Sequence, residues 1–379
     1  MFKKAILFKK AIWVSIATFA LVSQALADQA TYTLNKIAKV KGAPWGLTFV
    51  DDGLAFVTTR EGSAYLLDVR TGDLARVSGL PDVYARGQGG LMDVAIPPQS
   101  FASSNPTATN KNGKQLYFTY SKPAKGGSAT ALATAKLVGA TLKDWKDLIV
   151  TQSITDTSRH YGSRIAFDDN EHLFFSIGDR GERSNGQDLT THAGSILRLT
   201  LDGAQPASNP DLGGQALPET WSYGHRNPQG LFFDKQSQQL WSVEHGPRGG
   251  DEINLILKGK NYGWPITSHG KEYWGPISVG ESEEKAGIEP PKKVYVPSIA
   301  PSSLVLYRGK HYPELNGKIL IGALKLTHIN VVDPQSFDET RLFADLGERI
   351  RSIAISPSEH LYFGTDNGNI FQISTAKME

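Results

Sequence analysis

A short unit recurs six times along this chain, and a repeat of that kind restricts the architecture before any single residue does. Each copy is an apolar pair, a turn of Asp, Asn, Gly or Ser, a second apolar run and often a third strand of alternating apolar residues. The copies start at Leu47 (LTFVDDGLAFVTTREGSAYLLD), at Leu91 (LMDVAIPP, then KQLYFTYSKP) and at Arg164 (RIAFDDNEHLFFSIGDRGE). They return at Gly230 (GLFFDKQSQQLWSVEHG), Leu304 (LVLYRGKHYPELNGKILIGALKLTHINVVD) and Ser352 (SIAISPSEHLYFGTDNGNIFQIS). Runs rich in Val, Ile, Phe, Tyr and Thr, bounded by turn formers such as Asp51-Asp52-Gly53 and Asp366-Asn367-Gly368, are hairpin chemistry. Between Leu47, Leu91, Ile165, Leu231, Leu304 and Ile353 the spacings are 44, 74, 66, 73 and 49 residues. Unequal spacing means loops of different length on one repeated four-stranded unit. Short strands alone also suit a β-sandwich, but six copies predict an all-β, six-bladed β-propeller of four-stranded antiparallel blades. Helical signals are sparse, with one helical turn expected at Leu142 to Ile149 in TLKDWKDLIV.

The start of the chain reads as an export signal. Lys3, Lys4, Lys9 and Lys10 precede the apolar run Ala11 to Val22, and Ala25-Leu26-Ala27 has the small-x-small pattern of a cleavage site. That run is 12 residues long, short of the ~20 needed to span a bilayer. Residues 1–27 are therefore expected to be a signal peptide and residues 28–379 one mature domain in the periplasm, with no membrane insertion after cleavage. Removing residues 1–27 turns a formal charge of +2 into −2. A nearly neutral chain lacks the cationic excess that nucleic acid or an anionic membrane requires, so small molecules are the expected partners. The chain has no cysteine, which excludes disulfides and leaves any metal to oxygen or nitrogen.

Three segments carry a chemical vocabulary. In the segment from Ser158 to Asp188, a turn symmetric about Asp169-Asn170 pairs His160 with Asp179. A carboxylate beside an imidazole fixes its tautomer, as a general base requires, though the pairing alone slightly favours a purely structural hydrogen bond. In YGHRNPQG, Arg226 and Asn227 occupy a Gly- and Pro-bounded loop before a strand, where they can meet an anion or a polarised carbonyl, or merely stabilise the loop. In EHGPRGGDEINLILKGKNYGWP, the carbonyls of Gly246, Pro247 and Tyr262 and the carboxylates of Asp251 and Glu252 are the hard oxygens calcium selects, although such residues are also commonly just solvated. Lys325, Arg349 and Arg351 lie at loop positions of other repeats, and with Arg226 they make four cations able to converge on one polyanion. His192, His225 and His245 are taken as structural. No Walker loop, GxGxxG after a strand, HExxH or GxSxG is present, which removes support for P-loop, nicotinamide, zincin and α/β-hydrolase chemistry.

Together these segments closely resemble the soluble sugar dehydrogenases that use pyrroloquinoline quinone (PQQ), in the aldose sugar dehydrogenase branch of the glucose/sorbosone dehydrogenase family. The likeness runs from Trp45 to Ile373 and is carried by GQGGLMDVAIPP, HYGSRIAFD with SIGDRG, YGHRNPQGL, EHGPRGGDEINLI with GKNYGWP, and IAPSS with GALK and ERIRS. It implies PQQ over a channel mouth, His160 as the base for the C1 hydroxyl of an aldose, Asp179 orienting it, and Arg226 polarising a quinone oxygen and holding sugar. Gln88, Asn227, Lys325, Arg349 and Arg351 are implied PQQ ligands. Gly246 and Pro247 are implied ligands of one calcium at PQQ, Glu252 and Tyr262 of a second, structural calcium. The expected partners are aldose substrates and an unidentified electron acceptor, and the expected state is a monomer or weak dimer. The chain is shorter than the glucose-specific enzymes, which favours a broad substrate range. A calcium-dependent lactonase using Glu252 and Asn254, and a non-catalytic periplasmic sugar-binding propeller, are the competing readings.

Overall fold

The computed structural model describes residues 32–98 and 113–375; the expected export signal lies outside them. The described residues form 24 β-strands and three short 3₁₀ turns, arranged as six four-stranded antiparallel sheets in a six-bladed β-propeller. The innermost strands are Pro44–Phe49, Leu91–Ala95, Ile165–Phe167, Pro228–Asp234, Pro301–Leu306 and Ile350–Ile355, so all six expected repeats begin on or immediately before them. In five blades the next three strands follow in chain order. In the sixth, the outer strand is Tyr32–Lys39, which pairs with Asn369–Thr375 in a register running from Tyr32↔Thr375 to Lys39↔Asn369. The two ends of the chain thus complete one blade together and so close the ring, which leaves only short edges.

Apolar clusters fill the space between successive blades. Phe56 and Phe118, both fully buried, meet across blades one and two with ring centroids 5.7 Å apart. Burying each such ring stabilises the interface by roughly 1.5–3 kcal/mol. TLKDWKDLIV is a β-strand, Thr141–Val150, and not the expected helical turn. It pairs with Gly127–Val138 through two register shifts, and sheet pairing outweighs a weak local helical pattern.

β-Bulges recur in the inner strands and decide the geometry of the channel. Register shifts at Pro44/Gly46, Pro228/Gly230, Pro301/Ser303 and Ile350/Ser352 make Trp45, Gln229, Ser302 and Arg351 the extra residues. In blade two the shift spans Leu91/Val94, so the counterpart of Leu47 is Val94. The expected equivalence at Leu91 is three residues early, because a bulge is invisible to an apolar pattern. Arg164, from blade three, sits at the centre. Its Nε donates to Gln229 O (2.9 Å) and Ser302 O (3.2 Å), its Nη1 to Trp45 O (2.8 Å) and Asp93 Oδ1 (3.0 Å), and its Nη2 to Ser302 O (2.9 Å) and Arg351 O (2.8 Å). One buried guanidinium therefore joins all six innermost strands.

Candidate active site

The chemistry-bearing residues gather at one mouth of the channel, because they immediately precede innermost strands (His160, Arg226, Asn227, Arg349) or follow second strands (Asp179, His245, Lys325, Asp366). His160 Nδ1 lies 2.6 Å from Asp179 Oδ1. The turn between them is five residues long, since Phe167 pairs with Leu173, and an odd turn by itself breaks the expected pairing. A bulge restores it: Ser176 accepts from Ser163 N and donates to Arg164 O, so one residue faces two. Asp179 is held by Trp264 Nε1 on Oδ2 (2.8 Å) and by Gly181 N on Oδ1 (2.7 Å). Gln88 Oε1 accepts from His160 N at 2.8 Å, fixing the imidazole from the backbone side. His160 adopts a left-handed φ of 55°, a conformation costly for a non-glycine residue and characteristic of functional loops. Burial pushes the His160 pKa down, the Asp179 hydrogen bond opposes that, and the Arg226 charge adds to the depression. With Nδ1–H donating to the carboxylate, Nε2 is the nitrogen left to accept a proton.

Arg226 is tied to the same centre. Its carbonyl accepts from Asp179 N at 2.8 Å, its N donates to Glu244 Oε2 (2.8 Å) and its Nη1 to His245 O (3.0 Å). Its guanidinium lies 5.3 Å from the centroid of Trp264. Its Nε is buried without a partner, and so is Nδ2 of the neighbouring Asn227. Asn227 Oδ1 is committed to Gly162 N and Gln229 Nε2. Two adjacent buried donors lacking acceptors are costly unless a ligand oxygen meets them. Arg351 is buried with its guanidinium 4.5 Å from the Trp45 ring centroid, and shares Asp366 with Arg349 through bonds of 2.7, 2.9 and 2.8 Å. Arg349 Nη1 also reaches Leu324 O, beside Lys325. The Lys325 ammonium is exposed and has no ion pair among the described residues. Arg226, His160 and Arg351 all act electrostatically on His245, whose pKa burial and these charges bring down to about 3.

Gly246, Pro247, Glu252 and Tyr262 line one cavity of about 10 Å³ together with Glu244 and Trp264, enough for a single water or ion. Glu252 and Tyr262 also face a cleft of about 330 Å³ that carries Glu283, Glu284 and Glu289. Burial and the adjacent Glu244 raise the Glu252 pKa to about 8, the response expected of a buried carboxylate short of a cation. Asn254 Nδ2 bridges Glu244 and Glu252 at 3.0 Å each while its Oδ1 is buried with no donor. Asp251 is not free for a metal, since its oxygens accept from Gly246 N, Ser298 Oγ and Ala300 N and so hold the Gly246-Pro247 turn. Among the described residues no three His, Asp or Glu side chains form a metal cluster.

The model of the glucose/sorbosone dehydrogenase family matches residues 42–372. The chain belongs to this family. The aldose sugar dehydrogenase YliI of Escherichia coli is 35% identical over 370 residues, covering 95% of this chain and 97% of that one. The crystal structure of the soluble E. coli aldose sugar dehydrogenase in its apo-form superposes with a TM-score of 0.83 at 34% identity, covering 91% of this chain and all of that one. Quinoprotein glucose dehydrogenase B of Acinetobacter calcoaceticus is 26% identical over 411 residues, 86% of this chain and 84% of that one.

Seen as a glucose/sorbosone dehydrogenase family member, the chain also has mouth residues that sequence reasoning passed over. His245 stands inside the site, its Nε2 2.7 Å from Pro301 O. Trp264 and Asp366 lie in quoted motifs but carried no chemical signal of their own, one being apolar and the other part of a turn. Glu244 fixes the Arg226 loop by accepting from Arg226 N and meeting His225 Nδ1 at 2.9 Å; only its place in EHGPRGG hinted at that.

Proposed function

We propose that this protein is a PQQ- and calcium-dependent dehydrogenase that oxidises the C1 hydroxyl of aldoses to the lactone, over a broad range of sugars. The observation that carries this reading is the mouth itself: an imidazole oriented by a buried carboxylate stands beside buried Arg226 and Asn227 donors that lack acceptors. The E. coli and Acinetobacter relatives, named for aldose oxidation and for a quinone cofactor, support it. The residues suit a tricarboxylate quinone. Lys325, Arg349 and Arg351 offer three positive charges against the single carboxylate of Asp366, and guanidinium groups match carboxylates. Gln88, Asn227, Lys325, Arg349 and Arg351 would hold PQQ, the Gly246 and Pro247 carbonyls its calcium, and Glu252 with the Tyr262 carbonyl a structural calcium. When bound, PQQ and its calcium supply the electrophile that accepts hydride from C1.

The chain supplies the rest. Asp179 keeps Nδ1 protonated, so Nε2 of His160 takes the C1 hydroxyl proton, and the same carboxylate then stabilises the imidazolium. Burial and Arg226 keep His160 neutral near pH 7. Arg226 holds an oxygen at the reacting centre through its open Nε. The mature protein, residues 28–379, is read as one periplasmic domain, monomeric or weakly dimeric, that passes electrons to an acceptor still to be identified.

The test is to add PQQ and calcium to apoprotein and follow reduction of an artificial dye with several aldoses. Dye reduction with several sugars supports the reading, and none with any aldose overturns it. His160→Gln is expected to retain PQQ binding and lose roughly 10²- to 10⁴-fold in turnover; undiminished turnover removes His160 as the base.

A further inference from the structure

Two aromatic rings stand in water at the rim of the mouth, on a segment that the reaction above does not use. Residues 270–279 form a hairpin closed by Val279 N to Gly270 O (3.0 Å) and Glu272 N to Ile277 O (2.8 Å). Two blades clamp it. From blade three, Arg183 donates to both Glu272 oxygens at 2.7 and 2.8 Å, and the Arg183 guanidinium lies 5.7 Å from the ring centroid of Trp264, the residue that holds Asp179. From blade four, Arg248 Nη2 donates to Gly275 O at 2.6 Å. At the turn, Tyr273 and Trp274 remain 66% and 75% exposed, although Arg226 Nη2 donates to Tyr273 Oη at 3.5 Å. Polar clamps fix the hairpin, so the exposed indole is not what holds it in place.

Sugar chemistry gives such rings a task. One face of a pyranose presents C–H bonds and stacks on an aromatic plane, while its hydroxyls keep hydrogen bonds at the edge. An aldose reacting at C1 directs C1 toward His160. Position 4 lies across the ring from C1 and therefore points out toward the rim. We propose that Tyr273 and Trp274 form an aromatic subsite for the second ring of a 1,4-linked disaccharide or longer aldose whose reducing-end ring reacts at His160 and Arg226. This rests on the dehydrogenase reading and adds a determinant of substrate length to it.

The experiment compares kcat/KM for maltose and for glucose in the holoenzyme. Trp274→Ala is expected to lower the maltose-to-glucose ratio about fivefold to tenfold through the KM for maltose, Trp274→Phe to restore most of it, and Leu74→Ser, an exposed apolar residue on the outer strand of blade one, to leave it unchanged. A ratio unmoved by Trp274→Ala, or an equal loss for both sugars, overturns the subsite. If the loaded wild-type protein oxidises no aldose, the dehydrogenase reading fails and the subsite is judged by calorimetry alone. Maltose must then bind wild type about fivefold to tenfold more tightly than Trp274→Ala; equal affinity, or no binding, overturns the proposal.

Discussion

Arg164, in the channel, and Arg226, at its mouth, are the same residue type, both buried, with side-chain donors in opposite states. Arg164 places every N–H on an acceptor, five of its six bonds going to carbonyls at the bulges and the sixth to Asp93, so six blades converge on one cation. Arg226 keeps Nε without a partner and leans on an exposed tyrosine and a tryptophan face. A buried cation whose donors are all matched has no capacity left for a ligand, and its free energy goes into holding the blades together. A buried cation with an open donor is a local destabilisation that a bound oxygen relieves. Between these two arginines burial alone therefore does not separate architecture from function, whereas the open donor at the mouth does.

This contrast can be broken most directly at Arg164. Arg164→Met leaves carbonyls of four blades without their donor and Asp93 buried without its cation, so a loss of about 3–5 kcal/mol is expected in denaturant unfolding. A midpoint shift no larger than that of Arg226→Met would end the distinction. Arg226→Met itself removes one side-chain bond to a carbonyl, His245 O, so stability should fall by only ~1 kcal/mol, while dye-linked turnover falls roughly 10²- to 10³-fold. Next, Trp264→Phe deletes one donor to Asp179 and loosens the orientation of His160. A decrease of about tenfold in kcat/KM is expected with little change in PQQ affinity, and a loss of cofactor binding instead would assign Trp264 to the cofactor. The smallest effect is on pH. Because burial sets the His160 pKa below its ordinary ~6.5, the neutral base persists as pH falls to about 6.5, and kcat/KM should drop only below that point. In Trp264→Phe the Asp179 charge is less shared and favours the imidazolium, so the acid limb should move to higher pH. Superimposable profiles for the two proteins would detach Asp179 from the titration of His160.

Much of the fold was legible because a propeller blade is a local object. Its strands are neighbours in sequence, its turns carry Asp, Asn and Gly, and its apolar runs recur, so the six inner strands can be read from Leu47 to Ser352 without tertiary information. The His160 and Asp179 pair was legible for a less secure reason: a five-residue turn and a one-residue bulge offset one another. The outer strand Tyr32–Lys39 was not legible, since it pairs with residues more than 300 positions away, and no local pattern reports such a partner. Nor was the pairing of Arg349 and Arg351 with Asp366, which halves their net charge and sits in a segment whose composition says only turn.

The sequence by itself determined the number of blades, the hairpins within them and the candidate pair His160 and Asp179, because each depends on spacing and residue type along a few tens of residues. The tertiary structure alone decided the central role of Arg164, the open donors of Arg226 and Asn227, and the hairpin that carries Tyr273 and Trp274 over the rim. Those depend on where backbone carbonyls point and on which donors remain unmatched after all six blades have closed, and both are properties of the assembled ring.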